Sequence, residues 1–219
     1  MNRKAQGFDA IGVAAVETLE RRQLMAGLTL ITHGREASGA MAGWVEAMAD
    51  EIDARTSQQD ARIRLTLAER PSGELFATAT SLNGLTPATS KSGQTVVTLD
   101  WSSLSTGLIF PTHNTVEVGA AATAALLSPL LLPSFGRAFS ELPLHLIGHS
   151  RGGSLISDIA RRLSAAGVWV DHLTTLDAVP HPLGSDAAAG VAQTVLYADN
   201  YYQTQDVLRG ASLAGRAYN

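Results

Sequence analysis

The chain has 219 residues, of which 45% are hydrophobic and only 16% charged, and its formal net charge is −4. That length suffices for one α/β domain with a substantial core, and a sparse, net-acidic charge argues against a nucleic-acid-binding surface. Cysteine is absent, so disulfides and thiolate metal sites are excluded, while the compartment stays open because exported proteins can also lack disulfides.

The N-terminus is basic at Asn2-Arg3-Lys4. The apolar stretch from Ile11 to Val16 is shorter than a secretory signal needs, and it runs straight into Glu17-Thr18-Leu19-Glu20-Arg21-Arg22. The segment Val16 to Met25 resembles the Leu-Glu-x-Arg-x-Leu leader of many bacterial cell-surface proteins. Residues 1–25 are therefore expected to be a leader or linker and residues 26–219 the domain, secreted or at the cell surface. The longest apolar stretch, Ala120 to Leu132, is broken by Thr123, Ser128 and Pro129 and is too short to span a membrane.

Strands and helices then alternate. Leu28-Thr29-Leu30-Ile31-Thr32 is β-rich and ends at His33-Gly34. Met41, Trp44, Val45, Met48 and Ile52 fall at helical spacing, which predicts a helix over residues 39–55. Residues 62–67 and 74–79 alternate around Pro71-Ser72-Gly73, the pattern of a hairpin. After a polar loop, residues 94–99 read as a buried strand ending in Asp100-Trp101. Residues 115–127 are alanine-rich and predict a buried helix. Residues 142–147 form an apolar strand, and Leu155, Ile156, Ile159 and Leu163 mark one face of the next helix, which Gly167 caps. Residues 168–176 lead into Asp177, and a last strand, 193–197, ends near Asp199. This βα order implies a mostly parallel sheet with helices on both faces, and ligands bind beyond the carboxyl ends of such strands.

Between the apolar strand and its helix stands Gly148-His149-Ser150-Arg151-Gly152. Gly-x-Ser-x-Gly in a strand–turn–helix context is a nucleophile elbow: a strained turn lifts the serine hydroxyl above the sheet, and flanking glycines leave room for strand and helix to pass. The bland reading is a glycine-rich helix start with a capping serine.

Taken together, Ile31-Thr32-His33-Gly34, Leu99-Asp100-Trp101, the Gly-His-Ser-Arg-Gly turn and Leu176-Asp177 resemble the α/β-hydrolase superfamily, and within it the lipase-like members. Order and spacing agree from residue 27 to about 200. Two departures stand out: Arg151, where many lipases carry leucine, and Ala178-Val179-Pro180, where proline commonly follows the acid directly. The resemblance implies a serine esterase working through an acyl-enzyme. Ser150 would be the nucleophile and Asp177 the acid, with Asp199, at the other common position, as the alternate. The oxyanion hole would be formed by the N–H groups of Arg151 and Arg35 beside Gly34. Carboxyl esters, with acylglycerols or other apolar acyl groups foremost, would be the substrates, without an organic cofactor.

The third triad member is the difficulty. In this fold the order is serine, acid, histidine, yet the only histidine after Asp177 is His181, four residues on. So short a loop hardly lets an imidazole lie between acid and serine, so His181 is an alternate at best. The α/β-hydrolase domain would then lack its C-terminal strand and histidine loop, either because the chain is cut short or because the domain has lost its base. If the base is lost, a non-catalytic binding or cell-surface interaction module is the competing reading. His33 is expected to order the oxyanion loop and His149 to pack near the acid or cap the strand. His145 belongs to a strand, and His113 and His172 read as surface or loop residues. No His-x-x-x-His or carboxylate-rich cluster suggests a metal site. The apolar run Leu126 to Phe135 is either a buried helix end or a rim contacting lipid substrates.

Overall fold

A computed structural model describes residues 27–56, 59–107, 112–183, 185–205, 209–213 and 217–218. The leader-like residues 1–25 lie outside them. The elements in chain order are β1 (Leu28–Thr32), α1 (Gly43–Arg55), β2 (Ala61–Glu69), β3 (Leu75–Ser81), β4 (Thr95–Asp100), α2 (Thr115–Leu127), β5 (Leu144–His149), α3 (Arg151–Ala165), β6 (Val170–Leu176) and β7 (Val195–Tyr201). The strands form one seven-stranded sheet in the order β3-β2-β4-β1-β5-β6-β7. Every pairing is parallel except β2 with β3. The expected mostly parallel sheet flanked by helices is what forms.

Period-two alternation decides which side chains meet which helices. On β1, Leu28 and Leu30 join the large core, which includes Leu155, Ile156, Ile159 and Leu163 of α3 and Val118, Ala122 and Leu126 of α2. Ile31 points the other way, into a smaller cluster with Val45 and Ala49 of α1, Val96 and Ile147. β1 is thus covered on both faces, as a strand in the middle of a parallel sheet should be. A capping box closes the start of α2: Asn114 accepts from the N–H groups of Val116 and Glu117, and the Glu117 side chain returns to the Asn114 backbone. Among the described residues no helix is long and apolar enough to cross a membrane.

Several limits differ from expectation. α1 begins at residue 43, not 39, because Gly39 takes a left-handed conformation (φ 68°) and its carbonyl accepts from Ser102 Oγ at 3.0 Å. β5 starts after Pro143, a residue with no N–H to donate to a ladder. β7 continues to Tyr201, held in register with β6 through Leu176↔Tyr201. Asp199 therefore lies inside a strand, not at its end. Likewise His172 is a β6 residue, not a loop residue.

Candidate active site

The carboxyl ends of β1, β5 and β6 lie side by side in the sheet, and the chain takes a positive φ directly after β5 and directly after β6. After β5, Ser150 has φ 54° and ψ −124°, a backbone conformation that is costly for any residue but glycine. The turn is held by its backbone. Ser150 N–H donates to the Leu176 carbonyl at 2.9 Å, while the Ser150 carbonyl accepts from Gly153 N–H at 2.9 Å and Val179 N–H at 3.1 Å. The Ser150 side chain makes no capping bond, so the capping-serine reading fails.

The glycines around it are steric requirements. A Cβ on Gly148 would collide with the Gly152 carbonyl, and one on Gly152 with the His33 carbonyl. A Cβ on Gly34 would lie 2.8 Å from Ser150 Cβ and 3.2 Å from Ser150 Oγ. The loop after β1 therefore brushes the serine side chain. Arg151 opens α3, where a helix offers its N–H no internal acceptor. Arg35 N–H has no acceptor among the described residues.

Asp177, directly after β6, is the other non-glycine residue with positive φ among the described residues, at 49°. Its N–H donates to the Tyr201 carbonyl at 2.6 Å. Its Oδ1 accepts from Gly210 N–H at 2.7 Å and Gln203 N–H at 3.3 Å. Gly210 packs so closely that a Cβ there would approach Asp177 Cα to 3.0 Å. No donor reaches Oδ2 from the described residues. Ser150 and Asp177 line one cavity of about 270 Å³, together with Arg35, His149, Arg151, Val179, Pro180, His181, Pro182 and Gln203.

The remaining histidines divide sharply. His33 is fully buried. Its Nδ1 bonds the Gly34 carbonyl at 2.8 Å, and its Nε2 accepts from Trp101 N–H at 3.2 Å. The ring stacks on Trp101 at 5.5 Å, whose indole N–H donates to the His33 carbonyl at 3.2 Å. His33 is thus fastened behind the loop that carries Gly34 and Arg35. Asp100 sits 3.6 Å from His33 Nε2. Burial would raise its pKa, but the groups around it, the Ser102 N–H among them, outweigh burial and lower it to about 2. His149 is exposed at the cavity and meets Trp44 edge-on at 5.6 Å.

His181 reaches the cavity wall, but its Nδ1 accepts from Leu183 N–H at 3.3 Å. A neutral ring bonded this way carries its proton on Nε2. A triad histidine needs the opposite tautomer, with Nδ1–H toward the acid and Nε2 open to the serine.

Asp199 takes no part in the cavity: it pairs with His172 Nε2 at 2.9 Å, and that ring stacks on His145 at 4.1 Å. No residue of the run Leu126 to Phe135 lines the cavity either. Phe135 and Leu126 are buried in the large core, while Leu130 is 80% exposed.

Sequence reasoning missed two residues. One is Gly210, whose N–H holds Asp177. The other is Asp186, whose side chain is buried and whose carboxylate grips the Arg151 guanidinium at 2.7 Å. Arg151, 35 positions away, was the one available signal, as a charge beside the serine that burial obliges to find a partner.

A scan against protein-family models finds none that matches, and a search of the curated proteins finds no similar sequence. Two solved structures are similar in part. A protein described as a "putative cell surface hydrolase" from Lactobacillus plantarum is 15% identical, with a TM-score of 0.47 over 70% of this chain and 54% of its own. A gene product of Listeria innocua is 15% identical, with a TM-score of 0.45 over 70% of this chain and 51% of its own. The chain thus spans about half the length of each.

Proposed function

We propose that the chain is a serine hydrolase of carboxyl esters, lipase- or esterase-like, working through an acyl-enzyme on Ser150. One observation carries this reading: a serine held in a strained, positive-φ turn at the end of a central parallel strand shares a cavity with a carboxylate on the neighbouring strand end. Strain of about 1–3 kcal/mol persists only where the surroundings enforce it, and such residues cluster at active sites. In the reaction, Ser150 Oγ attacks the ester carbonyl and gives up its proton to an imidazole. The N–H groups of Arg151 and Arg35 receive the developing oxyanion, with Gly34 admitting the loop at close range. The alcohol leaves with that proton, and water then hydrolyses the acyl-serine by the reverse sequence. Asp177 Oδ2 is the acceptor that would orient the imidazole. The preference for acylglycerols or other apolar acyl chains rests on the lipase-like motifs, and the secreted or cell-surface location on the leader-like residues 16–25.

The imidazole decides between this and a second reading. Among the described residues no imidazole hydrogen-bonds Ser150 or Asp177, and the bond from Leu183 N–H gives His181 the wrong tautomer. That favours a non-catalytic binding or cell-surface interaction module. A fluorophosphonate probe separates the two. The wild type should be labelled at Ser150 and the Ser150→Ala variant not at all. Added free imidazole should accelerate labelling, with the rate rising from pH 6 to 7 as the base loses its proton. Absence of labelling of the folded protein with and without imidazole would reject the enzyme reading.

A further inference from the structure

We propose that Asp186 is a positioning residue for Ser150: one buried carboxylate fastens the first residue of α3, the cavity-lining segment at His181 and the first residue of α2 to a single point. The inference deepens the hydrolase reading and rests on it for its kinetic readout alone.

The geometry is complete on the carboxylate side. Arg151 Nε donates to Asp186 Oδ2 at 2.7 Å, and Arg151 Nη2 donates to Oδ1 at 2.7 Å. This is a two-pronged bond that fixes direction as well as distance. His181 N–H donates to Oδ2 at 2.8 Å, and Thr115 N–H to Oδ1 at 2.9 Å. Four donors thus occupy the lone pairs of a side chain with no solvent exposure, against a guanidinium that is 3% exposed. Burial would raise the Asp186 pKa, but Arg151 and then the two backbone N–H groups outweigh it and lower it. The guanidinium is fixed in turn by the His113 carbonyl at 2.9 Å and by the face of Trp101 at 5.1 Å.

Stability alone does not account for such a pair. Replacing a buried ion pair with apolar side chains of similar volume is often neutral or stabilising. What the pair supplies is placement. Arg151 follows the serine directly, and its N–H is the oxyanion donor closest to Ser150 in the chain. Val179, Pro180, His181 and Pro182, which follow Asp177, line the same cavity, and Val179 N–H already donates to the Ser150 carbonyl at 3.1 Å. Asp186 adds a second tie between that segment and the serine turn, through His181 N–H and Arg151, and displacements near 1 Å at a reacting centre cost on the order of 100-fold in rate.

The test compares the wild type, Asp186→Asn and the apolar double variant Arg151→Met with Asp186→Leu. Fluorophosphonate labelling of Ser150 is measured alongside amide hydrogen exchange. Asp186→Asn should slow labelling about 10- to 100-fold and speed exchange in residues 148–153 and 178–187 together, leaving the β2–β3 hairpin unchanged. The double variant should melt near the wild-type temperature yet label as slowly as Asp186→Asn, and it carries the test if the single variant does not fold. Labelling within threefold of wild type in a folded variant would overturn the proposal. So would exchange that rises in only one of the two segments. An unlabelled wild type would sink the hydrolase reading, and the exchange measurement would then decide the positioning role by itself.

Discussion

Single side chains away from the cavity set the acid response. His145 is packed against His172, bonds Thr174 Oγ1 at 2.8 Å, and has its pKa lowered to about 4 by burial and by His172, against the pull of Asp199. The unfolded chain takes up that proton near pH 6.5, whereas the folded one refuses it until about pH 4. Stability should therefore fall as pH drops from 6.5 to 4, by at most about 1.4 kcal/mol per pH unit for this group. Urea unfolding of wild type and His145→Gln across that range checks it: the variant should show the shallower slope. Sequence could place His145 in a strand but could not see its stacking partner, which lies 27 positions on and meets it only through the β5–β6 register. Ser150 and Asp177 were legible because each stands where a strand pattern stops. Asp186 was not, because only the folded chain brings the two ends of its ion pair together.

At the level of elements, the limits found match the sequence where local chemistry fixes them. β1 is bounded by its apolar run, and α2 begins directly after the asparagine that caps it. Limits set by pairing or by a remote contact were missed, as at β7, prolonged by its register with β6, and at the late start of α1. The turn at Ser150 belongs with the first group, since its glycines are written into the sequence and their necessity is steric. Gly152→Ala would press a methyl into the His33 carbonyl, where backbone meets backbone and neither side can rotate away. Such overpacking should cost about 1–3 kcal/mol or more, read as a lower urea midpoint at unchanged m-value. It should also push the Gly34 loop off the serine, so that probe labelling falls further than the loss of folded protein explains.

Across the whole molecule, two apolar cores on opposite faces of the sheet hold the three strand ends in register, and the period-two and helical patterns were enough to foresee that layered arrangement. The net stability of such a domain is small, about 5–15 kcal/mol, so two left-handed non-glycine residues tied together at one edge are a measurable drain on it. Glycine at position 150 would release that tension, whereas alanine would keep it, since it retains the offending Cβ. Ser150→Gly should therefore melt above Ser150→Ala by about 2–4 °C per kcal/mol recovered, although neither carries a hydroxyl. The gap between those two melting temperatures weighs what the fold gives up to hold any side chain at this turn: a polypeptide shaped for endurance alone would be sturdier with hydrogen in its place.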